Sequence, residues 1–252
     1  MKVQGSTAIV TGGNRGIGEA FVHCLIEAGA RRVYVGSRQA KAAAHLVDTY
    51  PGRVVAVELD VTDEAGVAAA AINFADTQIV INNAGAYHHL TLLRAPDLRA
   101  AREEMEVNYF GVLSMCRQFT PVLARNGGGA IVNVLSVGAI LAVPNMGGYC
   151  PSKFAARALT TSLRAELAEQ NIQVSCLIVG SIDTRMAAHV EGRKEPPETV
   201  ARAGIRAIEK NIPEMDTDAF AINIRAAMAR DPAHLEKQMA KLLKAKTLAT
   251  GR

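Results

Sequence analysis

The sequence predicts one α/β domain, a doubly wound parallel sheet with helices on both faces, and three observations carry that expectation. Short apolar runs recur along the chain and alternate with stretches of helical periodicity, as in a sheet whose strands are buried on both sides. The first run, Thr7 to Val10, leads into the spaced glycines Gly12, Gly16 and Gly18 and then a helical pattern, Ala20, Phe21, Cys24, Leu25 and Ala28. Finally, 252 residues that are 49% hydrophobic and 21% charged suit one domain with a substantial core, where two would be cramped.

Composition narrows the partners. A net charge of +4, with no dense Lys/Arg block and no interleaved basic and aromatic stretch, argues for a small molecule rather than nucleic acid. Cys24, Cys116, Cys150 and Cys176 lack the close paired spacings of a zinc site, so no metal is expected. Nothing at the N-terminus resembles a signal peptide, and no apolar run approaches the roughly 20 residues that span a bilayer. The expectation is a cytoplasmic protein with reduced thiols and no membrane contact.

The glycines at the first turn let the backbone take left-handed angles and let a ligand approach closely, and the helix that follows offers unpaired N–H groups and a positive dipole end. An anion such as a pyrophosphate fits there, although the turn alone is equally a tight strand-to-helix connection. Gly29 caps the helix, and Arg32 to Gly36 reads as a second buried strand. In such a βαβ unit the tip of the second strand meets the adenosine ribose. Here the tip is Gly36-Ser37-Arg38. A carboxylate at position 37 would repel a 2′-phosphate, whereas Ser37 with the Arg38 guanidinium suits one, with Arg15 on its other side. That favours NADP over NAD.

Val54 to Leu59 is a third strand, and its end, Asp60-Val61, is placed at the adenine edge. A short helix follows, and then a fourth strand, Ile79 to Ile81, ending in Asn82-Asn83-Ala84-Gly85. Small and amide residues there suit close approach to a ligand and bracing of neighbouring strands. A long helix is expected from about 99 to 124, with Met105, Val107, Tyr109, Val112, Leu113 and Cys116 on its apolar side and Asn108 among them. Ala130 to Leu135 is a fifth strand, with Ser136 at its carboxyl end. Pro151 is acceptable only in a first helical turn, so a helix begins near Tyr149 and places Tyr149 and Lys153 on one face. A cationic neighbour favours the phenolate and lowers the tyrosine pKa toward the range of a general acid/base.

Gln173 to Val179 is a sixth strand, left through Gly180-Ser181-Ile182-Asp183-Thr184. Residues 189–197 are polar and rich in breakers and read as mobile, within a substrate loop over about 185–197. Helices are expected over 198–210, 219–228 and 233–244, with a short last strand over 212–217. The domain thus covers 1–244, and 245–252 read as a disordered tail.

In their order, these pieces resemble the classical short-chain dehydrogenases/reductases. The TGxxxGxG turn (Thr11 to Gly18), the NNAG box (Asn82 to Gly85), Asn108, Ser136 and YxxxK (Tyr149, Lys153) all fall in register, including the 13-residue step from Ser136 to Tyr149. The resemblance spans roughly residues 3 to 184. It implies a Rossmann-type fold and a catalytic tetrad. Tyr149 would pass a proton to or from the substrate oxygen, and Lys153 would lower its pKa and bind the nicotinamide ribose. Ser136 would polarise the carbonyl, and Asn108 would link Lys153 to a proton relay through its main-chain carbonyl. The expected cofactor contacts are Gly12, Asn14, Arg15, Gly16, Ile17, Gly18, Ser37, Arg38, Asp60, Val61, Asn83, Ala84, Gly85, Tyr149, Lys153, Gly180, Ile182 and Thr184, with NADPH preferred over NADH.

Two features depart from the family pattern: Val179-Gly180 replaces the usual Pro-Gly, and charged helices replace a Gly-rich last strand, so a homodimer or homotetramer is left open. Val137, Ala139, Ile140, Leu141, Val143, Met146, Tyr87 and Leu90 are expected to line an apolar substrate site, with His88, His89 and His189 as rim residues. The reaction expected is interconversion of an uncharged ketone or aldehyde with its alcohol. The alternatives are a 3-oxoacyl-carrier-protein reductase, which requires a basic patch near Arg185, Arg193 and Lys194, and a non-catalytic NADP-binding sensor or scaffold.

Overall fold

The computed structural model describes residues 1–249. Its seven strands, β1 (Thr7–Thr11), β2 (Arg32–Ser37), β3 (Val54–Glu58), β4 (Ile79–Asn82), β5 (Gly129–Val134), β6 (Ile172–Ile178) and β7 (Glu214–Asp216), stand in the order β3-β2-β1-β4-β5-β6-β7. Every neighbouring pair is parallel. Strands β1, β4 and β5 are buried along their whole length, which is why they read as unbroken apolar runs, whereas the edge strand β3 has exposed positions. The chain winds outward from β1 to β3 and restarts at β4 on the other side of β1. That reversal opens a crevice beyond the carboxyl ends of β1 and β4, where ligands of open α/β sheets bind.

Helices cover both faces. On one, α1 (Gly16–Glu27), α2 (Ala44–Thr49) and α7 (Pro197–Lys210) bury Phe21, Leu25, Leu46, Val200 and Ile208. On the other, α3 (Glu64–Asn73), α5 (Gly111–Arg125) and α6 (Tyr149–Glu166) bury Val67, Met115, Phe119 and Leu163. A third cluster joins Ile178 and Leu141 to α8 (Ala219–Arg230) and α9 (Pro232–Ala249) through Ile224 and Leu235.

Four elements differ from the sequence expectation. The helix expected over 99–124 is α4 (Arg99–Met105), a π-helical turn at Glu106–Phe110, and α5, and the wide turn carries Asn108 at its centre. A six-residue helix, α2, stands where no periodicity announced one. Strand β7 is three residues long, shorter than 212–217. Helix α9 runs on to Ala249, so the expected tail is helical up to there, and 250–252 lie outside the described residues. Among the described residues, no helix is long and apolar enough to cross a membrane.

Candidate active site

The glycine turn is built against the end of β4. Thr11 Oγ1 accepts the N–H groups of Asn83 and Ala84, both at 3.0 Å, and Asn83 Nδ2 donates to the carbonyls of Thr11 (3.0 Å) and Gly12 (3.1 Å). A side chain on Gly18 would strike the Gly12 carbonyl and stand 2.6 Å from Asn83 Nδ2, so only glycine fits. Gly16 opens α1 at φ +56°, with Thr184 Cγ2 beside it. Arg15 is the N-cap of α1, and no side chain caps that end, which leaves first-turn N–H groups facing the crevice. Asn14 is half-buried in the turn, and Ile17 packs into the core behind it.

The tip of β2 lies against this turn, with Gly13 N–H donating to the Gly36 carbonyl at 3.2 Å. Arg15 and Arg38 are both exposed. Ser37 is buried and its hydroxyl donates to the Gln39 carbonyl at 2.8 Å, so Arg38 is the side chain that the tip offers outward. Asp60 is turned onto Thr62, accepting its N–H at 3.0 Å and its hydroxyl at 2.8 Å. The Val61 side chain is buried under Gly111 at the start of α5, which leaves its backbone for the crevice.

Beyond β4 and β5, Asn108, Ser136, Tyr149 and Lys153 converge from three segments: the π turn, the end of β5 and the first turns of α6. Asn108 is fully buried and its amide is spoken for: Oδ1 accepts Ala86 N–H at 2.9 Å, and Nδ2 donates to Ala86 O and Ser152 Oγ, both at 2.9 Å. Ser152 in turn donates to the Tyr149 carbonyl at 2.7 Å. The loop after β4 and the first turn of α6 are thereby held together. Gly85 lies between Asn108 and Lys153, and Tyr149, Cys150 and Ser136 close around Gly138. Lys153 donates to the Val134 carbonyl at 3.2 Å, with its ammonium 5.6 Å from the centre of the Tyr149 ring.

The electrostatics correct one expectation. Burial pushes the Tyr149 phenol up and outweighs the hydrogen bond with Ser136 that favours the phenolate, while burial alone draws Lys153 down to about 8. Desolvation dominates because both side chains are more than nine-tenths buried. Lys153 also turns its charge to Val134 rather than to the phenol.

The loop after β6 is fixed by a residue the sequence reading missed. Asp218 accepts the Gly180 N–H at 2.8 Å and the Thr217 hydroxyl at 2.9 Å, and caps α8 by accepting Ala221 N–H at 3.0 Å. Its place before an amphipathic helix is the signal that could have found it. Ile182 is buried in the core and pairs with Glu195, and Asp183 N–H donates to Glu195 O at 2.8 Å. The loop over 185–197, of which 189–197 is expected to be mobile, is thus tied together where its ends meet, with a helical turn at Arg185–Ala187. The expected apolar lining is partly core: Val137, Ala139, Ile140 and Leu141 are buried beneath the site, whereas Val143 and Met146 are partly exposed.

Rings gather at the mouth. Tyr87 lies 4.9 Å from Tyr149 between ring centroids and 3.9 Å from His89, and His189 reaches within 4.3 Å of His89. Sequence could not show this, because the histidines are a hundred residues apart.

The family model described as short chain dehydrogenase matches residues 6–195. The chain belongs to the short chain dehydrogenase family. It is similar to a solved short chain dehydrogenase from Burkholderia cenocepacia J2315 in complex with NADP, at 41% identity and a TM-score of 0.89 over 95% of this chain and 99% of that one. A short chain dehydrogenase from Aspergillus terreus is 36% identical over 177 residues, which cover 66% of this chain but 39% of that longer protein. A rhamnolipids biosynthesis 3-oxoacyl-[acyl-carrier-protein] reductase from Pseudomonas aeruginosa is 32% identical over 74% of this chain and 76% of that one. As a short chain dehydrogenase, this protein is an oxidoreductase acting on a CH–OH/C=O pair with a nicotinamide cofactor. The crevice fits that group: an uncapped helix N-terminus for a pyrophosphate and small residues at both strand ends that permit close approach.

Proposed function

We propose that the chain is an NADP-dependent oxidoreductase interconverting an uncharged ketone or aldehyde with its alcohol, with Tyr149 as general acid/base. The observation that carries this reading is the convergence of Ser136, Tyr149 and Lys153 at the carboxyl ends of β4 and β5, in the crevice that the glycine turn also borders. The turn (Gly12 to Gly18), Asn83 to Gly85, Asp60 with the Val61 backbone, and Gly180 to Thr184 would hold the dinucleotide, and Arg15 and Arg38 its 2′-phosphate. When bound, the nicotinamide supplies or accepts the hydride. In the ligand-free site the Tyr149 phenol is protonated at neutral pH, the form that donates to a carbonyl oxygen as negative charge develops there. Ser136 adds a second donor at that oxygen. Because Asn108 has committed its side chain, its main-chain carbonyl is what remains for a proton relay to Lys153.

The carrier-protein alternative draws support from the Pseudomonas relative, but the charges it needs are partly neutralised: Arg193 pairs with Glu195 at 3.2 Å and Lys194 with Asp183 at 3.4 Å. The non-catalytic reading is disfavoured because all four tetrad residues are present. Self-association through α5 and α6 is supported by the exposed Phe110 and Phe154 beside them. The cytoplasm is the compartment proposed, in keeping with four free, buried cysteines.

Titration of the purified protein with NADPH and NADH, followed by cofactor fluorescence, tests the reading. NADPH is expected to bind at least about tenfold tighter, with the advantage lost in Arg38→Ala, since one charge-assisted contact is worth about 1.5–3 kcal/mol. Tyr149→Phe is expected to keep cofactor binding and lose turnover by roughly 100-fold or more. Equal or tighter binding of NADH would overturn the cofactor assignment.

A further inference from the structure

We propose that Tyr87, His89 and His189 form an aromatic wall that selects ketones carrying a planar aromatic ring a short distance from the carbonyl, an assignment that rests on Tyr149 being the group that meets the substrate oxygen. The rings come from two loops. Tyr87 and His89 follow β4 and His189 follows β6, and their centroids form a continuous row: 4.9 Å from Tyr149 to Tyr87, 3.9 Å from Tyr87 to His89 and 4.3 Å from His89 to His189. Tyr87 and His189 also face each other at 5.9 Å. The row therefore begins at the proposed reacting group and leads outward along the mouth.

Both loops are anchored on either side of the rings. His88 N–H donates to the buried Glu104 carboxylate at 2.7 Å, and the Leu90 carbonyl accepts Gly147 N–H at 2.9 Å. Across the mouth, Lys194 donates to the Ala187 carbonyl at 3.4 Å while pairing with Asp183. His89 is held at φ +59°, a left-handed conformation that histidine tolerates better than most side chains and that persists where the surroundings enforce it. The tyrosine hydroxyl is turned aside to the Asn145 carbonyl at 3.5 Å.

The chemistry of the wall selects its guest. Of the cations on the 185–197 loop, Arg193 and Lys194 are directed onto Glu195 and Asp183, so a carboxylate or phosphate would meet two cations already paired there. What the wall presents is ring faces and edges. An aromatic guest in offset or edge-on contact gains about fivefold over a saturated ring of the same size, beyond the area that both would bury. The ring must stand a few bonds from the carbonyl, because Tyr87 is one ring contact away from Tyr149.

The test compares benzylacetone with its ring-saturated analogue, which has the same chain and an equally insulated carbonyl, by the ratio of their kcat/KM values with NADPH. The wild-type ratio is expected to favour the aromatic ketone about fivefold or more, falling to within about twofold in Tyr87→Leu and in between in His189→Leu. A ratio near one in the wild type, or one unchanged in both variants, overturns the wall. Melting temperature and NADPH affinity of each variant establish that it is folded. Calorimetric binding of the two corresponding alcohols to the protein with NADP+ reads the same preference without turnover. Were neither ketone reduced, the proposed uncharged-ketone substrate would fail for these compounds, and the binding ratio would still decide the wall.

Discussion

Lys153 combines burial with a charge. Its ammonium rests on the Val134 carbonyl, and desolvation lowers its pKa from 10.5 to about 8. Between those values the unfolded chain holds a proton that the folded chain has lost, so this group's contribution to stability rises as pH climbs from about 8 to 10.5 and is least favourable below 8. Lys153→Met, which keeps an unbranched side chain and removes the charge, is therefore expected to lose turnover yet melt roughly 2–4 °C higher at pH 7. The gain should fade toward pH 10. A lower melting temperature at pH 7 would mean that the bond to Val134 outweighs the desolvation. At this scale the motif residues were legible, since TGxxxGxG, NNAG and YxxxK each answer to a local backbone demand. The Tyr149 environment was not, because burial is a property of everything around the ring.

Asp218 shows how one side chain serves two elements. One oxygen caps α8 and the other holds the Gly180 loop at the edge of the crevice. Asp218→Ala is expected to lower the melting temperature by roughly 4 °C, given about 1 kcal/mol for a lost cap and a comparable loss for the unpaired amide, and to weaken NADPH binding several-fold. Asp218→Ser, which can cap α8 but cannot also hold Gly180, should recover stability more than affinity. Calorimetry and fluorescence titration separate the two effects. Strands were the most legible elements because their burial on both sides leaves continuous apolar runs. The stretch 99–124 was misread as one helix because a π turn keeps apolar spacing on each side while inserting an extra residue between them. Helix α2 escaped because six residues with one buried leucine carry too little pattern.

Across the whole molecule, the last strand is clamped by charge. Arg157 on α6 donates to both oxygens of Glu214 at 2.8 and 2.9 Å, and Arg225 on α8 pairs with Glu214 at 2.8 Å and Asp216 at 2.6 Å. Burial would raise the Glu214 pKa, but the hydrogen bonds and charges of the two arginines prevail and hold it at about 2. A depressed carboxylate stabilises above its ordinary value of 4.5, and that contribution is lost as pH falls from there toward 2. Glu214→Gln should melt roughly 2–4 °C lower at pH 7, a modest amount because the pair is partly solvated, with the difference closing by about pH 2. A gap that persisted into acid would assign the loss to geometry rather than charge. The sheet order also sets a sequence of events in time. During synthesis β1, β2 and β3 emerge first, yet the inner edge of β1 stays unpaired until Ile79 to Ile81 arrive. Phe21 on α1 waits longer still, for Gly204 on α7 to close against its ring. The nascent first half is thus a sheet with an open centre and a bare helix face, so the fold is completed only when the last third of the chain has left the ribosome.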